Sequence, residues 1–231
     1  MLCCAGKTAS SVVSTVILTF ERLSLGEAFF VSSPLVLLGL KKISLMELSE
    51  LIRTRRSVYP GSYNDRPIAD ELIEEMLEAA RWAPTHKKTQ PWRFVVVRSE
   101  ARNRLADAIG EAYTKTAQKF SQITHDKMRS NATKSHVAIA ICMKRDPKES
   151  LPEWEEVAAV AMAVQNLWLT SHEKGIGGYW SSPGVVKHLG DFLELEEGER
   201  CYGLFYMGYY DEKPEDSVRL PLAEVVRYFD R

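Results

Sequence analysis

The 231-residue sequence lacks any excess of charge of one sign, since 30 basic and 31 acidic side chains give a formal net charge of −1 at neutral pH. A surface that follows nucleic-acid phosphates usually shows as a basic excess, so nucleic acid is not expected as a partner. A local basic pocket for one small phosphate is still compatible with this balance. The hydrophobic fraction of 45% and the charged fraction of 26% are those of an ordinary soluble globular protein.

Cysteine is also scarce. The four cysteines, at positions 3, 4, 142 and 201, follow neither the spacing of a metal site nor that of a disulfide framework. Cys142 and Cys201 each lie in an apolar, strand-like run, which favours small buried hydrophobic side chains over reactive thiols. We therefore expect a reducing compartment, taken as the cytoplasm, and no bound metal.

Long apolar runs are absent, even in the unusual first 45 residues. The runs at 12–20 and 28–40 are both shorter than the ~20 apolar residues of a membrane helix. The segment also lacks the basic start and cleavage site of a secretory signal. A helical pattern begins at Met46, which favours one domain over residues 46–231, preceded by a dispensable tail or an upstream-extended translation start. The alternative is a membrane-associating or organelle-targeting segment, although membrane attachment of the protein is not expected.

Hydrophobic periodicity predicts helices separated by a few strands. Helices are expected at 46–54, from Asp70 as N-cap to Pro84, from Ser99 to about Phe120, and at 153–174, where Gly175 is the expected C′ residue. Strands are expected at 92–97, 136–143 and 201–207, followed by a final apolar segment at 221–229. Residues 121–134 are polar without a clear period, which indicates a mobile connection. The absence of regular β-α-β alternation predicts an α+β fold with a small mixed sheet.

The predicted helix at 153–174 is apolar on nearly every face. A helix of this kind must be covered on all sides. In a chain of this length, the pattern therefore indicates a central helix, placed at a subunit interface.

Two segments carry unusual chemistry. Residues 83–94 form a polar loop fixed between Pro84 and Pro91, and the loop carries His86, two lysines and Gln90. Such a loop can present hydrogen-bond donors to a ligand, although a loop histidine is more often only solvated and Gln90 can simply hold the loop in place.

Residues 175–182 are rich in glycine but do not match a dinucleotide fingerprint, which must follow a strand and open a helix. Here the glycines follow a helix and run into Tyr179. The remaining interpretation is a glycine-rich turn that lets the backbone approach a flat ligand closely.

Three motifs together resemble the nitroreductase family of flavin-dependent oxidoreductases. They are Arg-Arg-Ser at 55–57, Ala-Pro-Thr-His-x-x-x-Gln-Pro-Trp-x-Phe at 83–94 and Gly-Ile-Gly-Gly-x-Trp-Ser-Ser at 175–182, in an arrangement that covers residues 46–229. The Pro-Thr-His-Lys sequence of the second motif is similar to the one in the branch of single-domain NAD(P)H nitroreductases. The resemblance implies a small, mostly antiparallel sheet flanked by helices, with the long central helix at the interface of a homodimer. It also implies FMN as cofactor and hydride transfer from NAD(P)H to a nitroaromatic, quinone or enone.

The resemblance further implies roles for eight residues. Arg55, Arg56 and Ser57 would bind the phosphate and ring edge of FMN, His86 would come from the second subunit, Trp180, Ser181 and Ser182 would lie along the isoalloxazine, and Arg219 would support the phosphate. Guanidinium groups suit this task because their paired donors match phosphate oxygens. The chain departs from the family at Tyr59, where a second basic residue is common, and in a loop to Pro67 that is about two residues longer.

No catalytic side chain is expected, because the redox chemistry would belong to the cofactor. The sequence presents neither a Ser/His/Asp triad nor a pair of carboxylates suited to acid and base roles. Two alternatives stay open: a specialised flavin reductase for a single metabolite, and a non-catalytic module that binds or senses FMN.

Overall fold

The computed structural model describes residues 47–230. The segment 1–45, predicted to be a tail, an upstream extension or a targeting segment, lies outside the described residues, as does the predicted helix start at Met46. Among the helices of residues 47–230, none has both the length and the apolar character needed to cross a membrane.

The described residues form helices and strands in mixed order. The helices are α1 (Leu48–Thr54), α2 (Asp70–Arg81), α3 (Ala101–Thr116), α4 (Gln122–Lys134), α5 (Glu153–Glu173) and α6 (Leu222–Val225). The strands are β1 (Trp92–Arg98), β2 (Val137–Lys144), β3 (Ile176–Ser181) and β4 (Glu199–Tyr209). Short 3₁₀ turns lie at Pro60–Ser62, His86–Lys88 and Gly184–His188.

The four strands form one antiparallel sheet in the order β1-β2-β4-β3. β2 and β4 occupy the centre, which explains why β2 is an almost unbroken apolar run with seven buried residues in eight. Helices cover both faces of the sheet. The predicted α+β class with a small, mostly antiparallel sheet is therefore confirmed.

Side chains along each strand alternate between two cores, because successive residues point to opposite faces. Ile139 and Ile141 of β2 join α2 and α5 in a first core. Ala138, Ala140 and Cys142 of the same strand join α3, α4 and the 184–188 turn in a second core. The sheet is thus buried on both sides, and its edge strand β3 lies beside α5 and the chain that follows α1.

Helix α5 packs one side against the sheet and leaves another side open. Ala163, Val164 and Leu167 are buried, whereas Trp154 is 68% exposed and Met162 is 39% exposed. Residues 47–230 therefore leave part of the apolar surface of this helix uncovered. The helix ends as predicted, with Gly175 at φ +70°, the left-handed conformation that glycine adopts without strain.

The predicted mobile connection at 121–134 is wrong, because these residues form helix α4. The side chain of Ser121 caps the helix by accepting a hydrogen bond from the Thr124 N–H at 3.4 Å. Only Ala132 of this helix is buried. An apolar stripe that narrow leaves almost no periodic signal in the sequence.

Two predicted helix starts are also wrong by one residue or more. Ala69 is the N-cap of α2, and Asp70 is the first helical residue, where its charge suits the positive end of the helix dipole. Ser99 takes a left-handed φ of +51°, and the N-cap of α3 is Glu100. Because α3 ends at Thr116, Phe120 lies beyond it.

Candidate functional site

A cavity of about 490 Å³ lies between the end of α1 and the chain after β4. Its lining comprises Arg55, Arg56, Ser57, Val58, Tyr59, Ser62, Glu212, Lys213, Pro214, Glu215, Ser217 and Arg219. We call it the arginine cavity. Four of the eight predicted site residues, Arg55, Arg56, Ser57 and Arg219, therefore meet around one space although about 160 residues of chain separate the first three from the last.

Arg55 is the least satisfied of the three arginines. Its guanidinium carbon lies 4.2 Å from the centre of the Trp168 ring, and its buried Nη1 has no hydrogen-bond partner among residues 47–230. Burial lowers the pKa of Arg55, and the nearby Arg219 and Arg56 lower the pKa further. A buried donor facing other cations is a costly arrangement, which an anion in the cavity would relieve.

Arg56, in contrast, is already well occupied within the chain. Its guanidinium donates to the backbone oxygens of Arg53 at 2.6 Å, Arg55 at 3.0 Å and Glu215 at 3.3 Å. It also lies 3.4 Å from a carboxylate oxygen of Asp216. Arg56 therefore satisfies carbonyls at the end of α1 and holds the chain after β4 against it.

Ser57 is fixed by the edge strand of the sheet. It forms an isolated parallel bridge with Gly178, and the next residue, Val58, donates its N–H to the Gly178 oxygen at 3.0 Å. Arg219 is exposed, and its guanidinium donates to the Val218 oxygen at 3.0 Å and to the Ser217 hydroxyl. Strand β3 thus positions one wall of the cavity, and the chain after β4 supplies the other.

The arginine cavity also contains residues that the sequence analysis missed. Lys213 and Ser62 line the cavity but lie in turn-like stretches outside the three motifs. His172, in the last turn of α5, lies close enough to Arg55 and Arg56 for their charges to lower its pKa, after the larger effect of burial. Lys213 and His172 supplied no local sequence signal, because they lie far along the chain from the Arg-Arg-Ser motif.

The glycine-rich turn predicted at 175–182 is wrong, because Gly177 and Gly178 lie inside strand β3. A Cβ atom on Gly177 would lie 2.8 Å from the Cβ of Val58, and one on Gly178 would meet the ring of Phe205. The two glycines are needed so that residues 57–58 and the first core can approach the strand. The prediction that they also let a flat ligand approach the backbone stays a prediction.

The second half of β3 leads away from the arginine cavity. Trp180 is half-buried against the first core, with its ring over Gly203 and its Nε1 buried without a partner. Ser181 ends the strand opposite Leu204. Ser182 lines a second cavity of about 650 Å³, which we call the β4 cavity. At about 3.3 Å per residue, Ser182 lies roughly 13 Å along the chain from Gly178.

His86 lies on the 3₁₀ turn after α2 and is not among the residues that line the arginine cavity. Its Nδ1 is 2.6 Å from a carboxylate oxygen of Glu155 in the first turn of α5, and its side chain is 59% exposed. The loop around it carries three non-glycine residues with positive φ, namely Lys87, Lys88 and Gln90. A non-glycine residue in this conformation is strained, and the conformation persists only where surrounding contacts hold it.

Two contacts hold this strained loop in place. Lys87 donates from its Nζ to the Ser150 oxygen at 2.8 Å, and the Gln90 N–H donates to the Thr85 hydroxyl at 3.2 Å. The loop therefore presents His86 at the surface in a fixed place. Among residues 47–230, no group of His, Cys, Asp and Glu side chains is arranged to hold a metal ion.

Comparison with known proteins gives three consistent matches. The family model described as "Nitroreductase family" matches residues 52–209. "Putative NAD(P)H nitroreductase YfhC" of Bacillus subtilis (strain 168) is 31% identical over 182 residues, which cover 77% of this chain and 91% of the relative. The solved structure of a nitroreductase-like family protein from Bacillus cereus has a TM-score of 0.68 at 28% identity and covers 80% of this chain and 97% of its own.

A fourth match extends the likeness of fold. The crystal structure of the FMN and NADPH-dependent nitroreductase NfnB from Sphigopyxis sp. strain HMH has a TM-score of 0.68 and covers 80% of this chain and all of its own. At 18% identity, this match concerns the fold alone.

Proposed function

The chain belongs to the nitroreductase family, and from this membership we propose that it is an FMN-dependent oxidoreductase. It would pass a hydride from NAD(P)H through the flavin to an acceptor such as a nitroaromatic, quinone or enone. The observation that carries the proposal is the arginine cavity, which is lined by Arg55, Arg56 and Arg219. Among residues 47–230, the buried Nη1 of Arg55 has no hydrogen-bond partner. The names of the relatives, which include an NAD(P)H nitroreductase and an FMN and NADPH-dependent enzyme, agree with this choice of cofactors.

The arginine cavity fits the phosphate of FMN. Arg55 and Arg219 both line it, and a phosphate dianion between them would supply the missing partner of Arg55 and reduce the repulsion between the two guanidinium groups. Ser57 and Ser62 add hydroxyl donors to the same wall. Arg56 would act mainly by holding the two walls of the cavity together, because it contacts both Glu215 and the end of α1.

Strand β3 fits the rest of the cofactor. It begins beside Ser57 and ends near Ser182, so a ligand that touches both ends must be elongated, with its anionic group at one end. We assign Trp180, Ser181 and Ser182 to the end that holds the isoalloxazine. When bound, FMN would supply the hydride chemistry, and the chain would bind it, orient it and exclude water.

His86 is proposed to complete the site of a second subunit in a homodimer. Its exposure and its absence from the lining of the arginine cavity support a role towards another chain. Residues 211–230 include no buried side chain and expose several large apolar ones, among them Leu220, Leu222 and Phe229. Trp154 of α5 is also exposed, and large exposed apolar side chains of this kind are typical of residues that a subunit interface covers.

Mixed dimers test the sharing of the site. At an FMN concentration that fills only the wild-type site, a chain with Arg55→Gln and a chain with His86→Ala are each expected to have little activity as homodimers. If the site is shared, a heterodimer combines both defects in one site and leaves the other intact, so activity returns to about half of the wild-type value per dimer. Activity that does not return in isolated heterodimers would place both residues in a site made by one chain.

Turnover tests the proposed function itself. Oxidation of NADH or NADPH by the purified protein should depend on FMN and on an added acceptor such as nitrofurazone or menadione. A protein that binds FMN without turnover with either nucleotide would instead be a binding or sensing module. Turnover restricted to one metabolite acceptor would identify the specialised reductase. The cytoplasmic location stays a prediction, which cell fractionation checks.

A further inference from the structure

Two cysteines lie directly opposite each other in the centre of the sheet. Cys142 of β2 and Cys201 of β4 are register partners, next to an irregularity between Ile141 and Cys142. Both side chains belong to the second core. The pair is therefore placed side by side on one face, and it is independent of the proposed function.

The register of β2 against β4 defines the spacing of the pair. Cys142 and Cys201 are direct partners in an antiparallel ladder. In such a ladder, Cα atoms of opposite residues lie about 4.5 Å or about 5.5 Å apart, according to the type of pair. Both separations are within the ~4.4–6.8 Å that a disulfide spans.

The two thiols differ in access and in acidity. Cys142 is fully buried, whereas Cys201 is 7% exposed and lines the β4 cavity beside Arg200 and Tyr202. The hydrogen bond from the Cys142 thiol lowers the pKa of Cys201, whereas the same hydrogen bond and burial raise the pKa of Cys142. Cys201 is thus the thiol that a small reagent meets first, and Cys142 is the thiol behind it.

We propose that Cys201 and Cys142 form a dithiol pair that hydrogen peroxide, or another small peroxide, oxidises to a cross-strand disulfide. The Cys201 sulfur attacks one peroxide oxygen, the O–O bond breaks, and the released oxygen leaves as water with the thiol proton, which gives a sulfenic acid. The Cys142 sulfur then attacks the sulfenic sulfur, the S–S bond forms, and a second water leaves with the Cys142 proton. The two thiols lose two electrons in total, and these reduce one hydrogen peroxide to two waters.

Oxidation of the two cysteines would affect the wall of the β4 cavity. Arg200 and Tyr202 flank Cys201 and both contact Glu153 of α5. A bond from Cys201 to β2 would hold this wall in one arrangement. The prediction that both cysteines are small buried side chains is confirmed, and the register adds that they are partners across two strands.

Peptide mapping of the full chain tests the proposal. Trypsin places Cys142 in residues 135–144 and Cys201 in residues 201–219, whereas Cys3 and Cys4 fall together in residues 1–7. After peroxide treatment of the folded protein and alkylation, we expect a linked 135–144/201–219 species that dithiothreitol removes. A linked species that forms only in urea, or does not form at all, would overturn the proposal.

Two variants test the order of the steps. In Cys142→Ala, Cys201 has no resolving partner, so its sulfenic acid should accumulate and be captured by dimedone on residues 201–219. In Cys201→Ala, the buried Cys142 should gain no dimedone. Equal labelling of the two variants, with circular dichroism equal to wild type, would contradict the assignment of Cys201 as the attacking thiol. The wild-type mapping stands even if a variant fails to fold.

Discussion

The Arg55→Gln substitution is the sharpest test of how the arginine cavity works. Glutamine keeps part of the length and a hydrogen-bond donor but removes the charge that faces Arg56 and Arg219. Arg55 is chosen over Arg56 because its Nη1 has no partner, while Arg56 is engaged with three backbone oxygens and Asp216. The substitution therefore removes a ligand contact with the least damage to contacts within the chain.

The expected loss follows from the strength of a hydrogen bond to a charged group, about 1.5–3 kcal/mol. At about 1.4 kcal/mol per tenfold change, the Kd for FMN should rise roughly 10- to 150-fold. Riboflavin lacks the phosphate, so its Kd should change by less than about twofold. Titration of the apoprotein with each flavin, with the quenching of flavin fluorescence as the signal, measures both Kd values.

A matched control is Arg98→Gln. Arg98 is an exposed arginine at the end of β1 that pairs with Asp70 and is not among the residues lining the arginine cavity. It should leave the affinity for both flavins unchanged. If Arg55→Gln weakens riboflavin as much as FMN, Arg55 contacts the ring instead of the phosphate. An unchanged Kd for FMN would refute the reasoning and return Arg55 to a purely structural contact with Trp168.

Three further predictions concern stability. Ser121→Ala should lower the free energy of unfolding by about 1 kcal/mol in urea denaturation, because α4 loses its side-chain cap; an unchanged value would mean that the cap contributes nothing. Gly177→Ala should lower the free energy of unfolding by about 1–3 kcal/mol, because its Cβ clashes with Val58, and it should also weaken FMN binding. Urea denaturation and a flavin titration measure the two effects. An unchanged free energy of unfolding would show that residues 57–58 move freely. His136 has a pKa lowered by burial and then by Arg102, and its Nδ1 accepts the Ile68 N–H at 3.4 Å. Between the lowered pKa of folded His136 and about pH 6.5, the unfolded chain therefore binds more protons, so stability should fall with decreasing pH by up to about 1.4 kcal/mol per unit. His136→Asn should reduce this slope; equal slopes would contradict a neutral, half-buried ring.

The elements that could be predicted from sequence are those with strong local patterns. The apolar run of β2, the long apolar helix α5 and its terminal Gly175 were all recognisable because burial on both faces and a left-handed C′ residue each restrict the residue types. Helix α4 was missed because it buries only Ala132, and its capping serine is not distinctive without an apolar stripe after it.

In the candidate site, too, some features could be predicted from the sequence and others could not. The motif around Arg55 contains residues that the fold gathers with Arg219, and their role in binding stays a prediction. The packing requirement for Gly177 could not be predicted, because the atoms that exclude a Cβ belong to Val58 and Tyr210, far away in the sequence. The Cys142–Cys201 pairing was also beyond reach, since it depends on the register between β2 and β4, which a local pattern does not define.

The most direct test of the central claim is anaerobic reduction of the protein reconstituted with FMN. Addition of NADH or NADPH should bleach the visible absorbance of the bound flavin, and a nitroaromatic or quinone added afterwards should restore it within repeated cycles. A protein that takes up no FMN, or whose bound flavin stays oxidised with both nucleotides, would contradict the account.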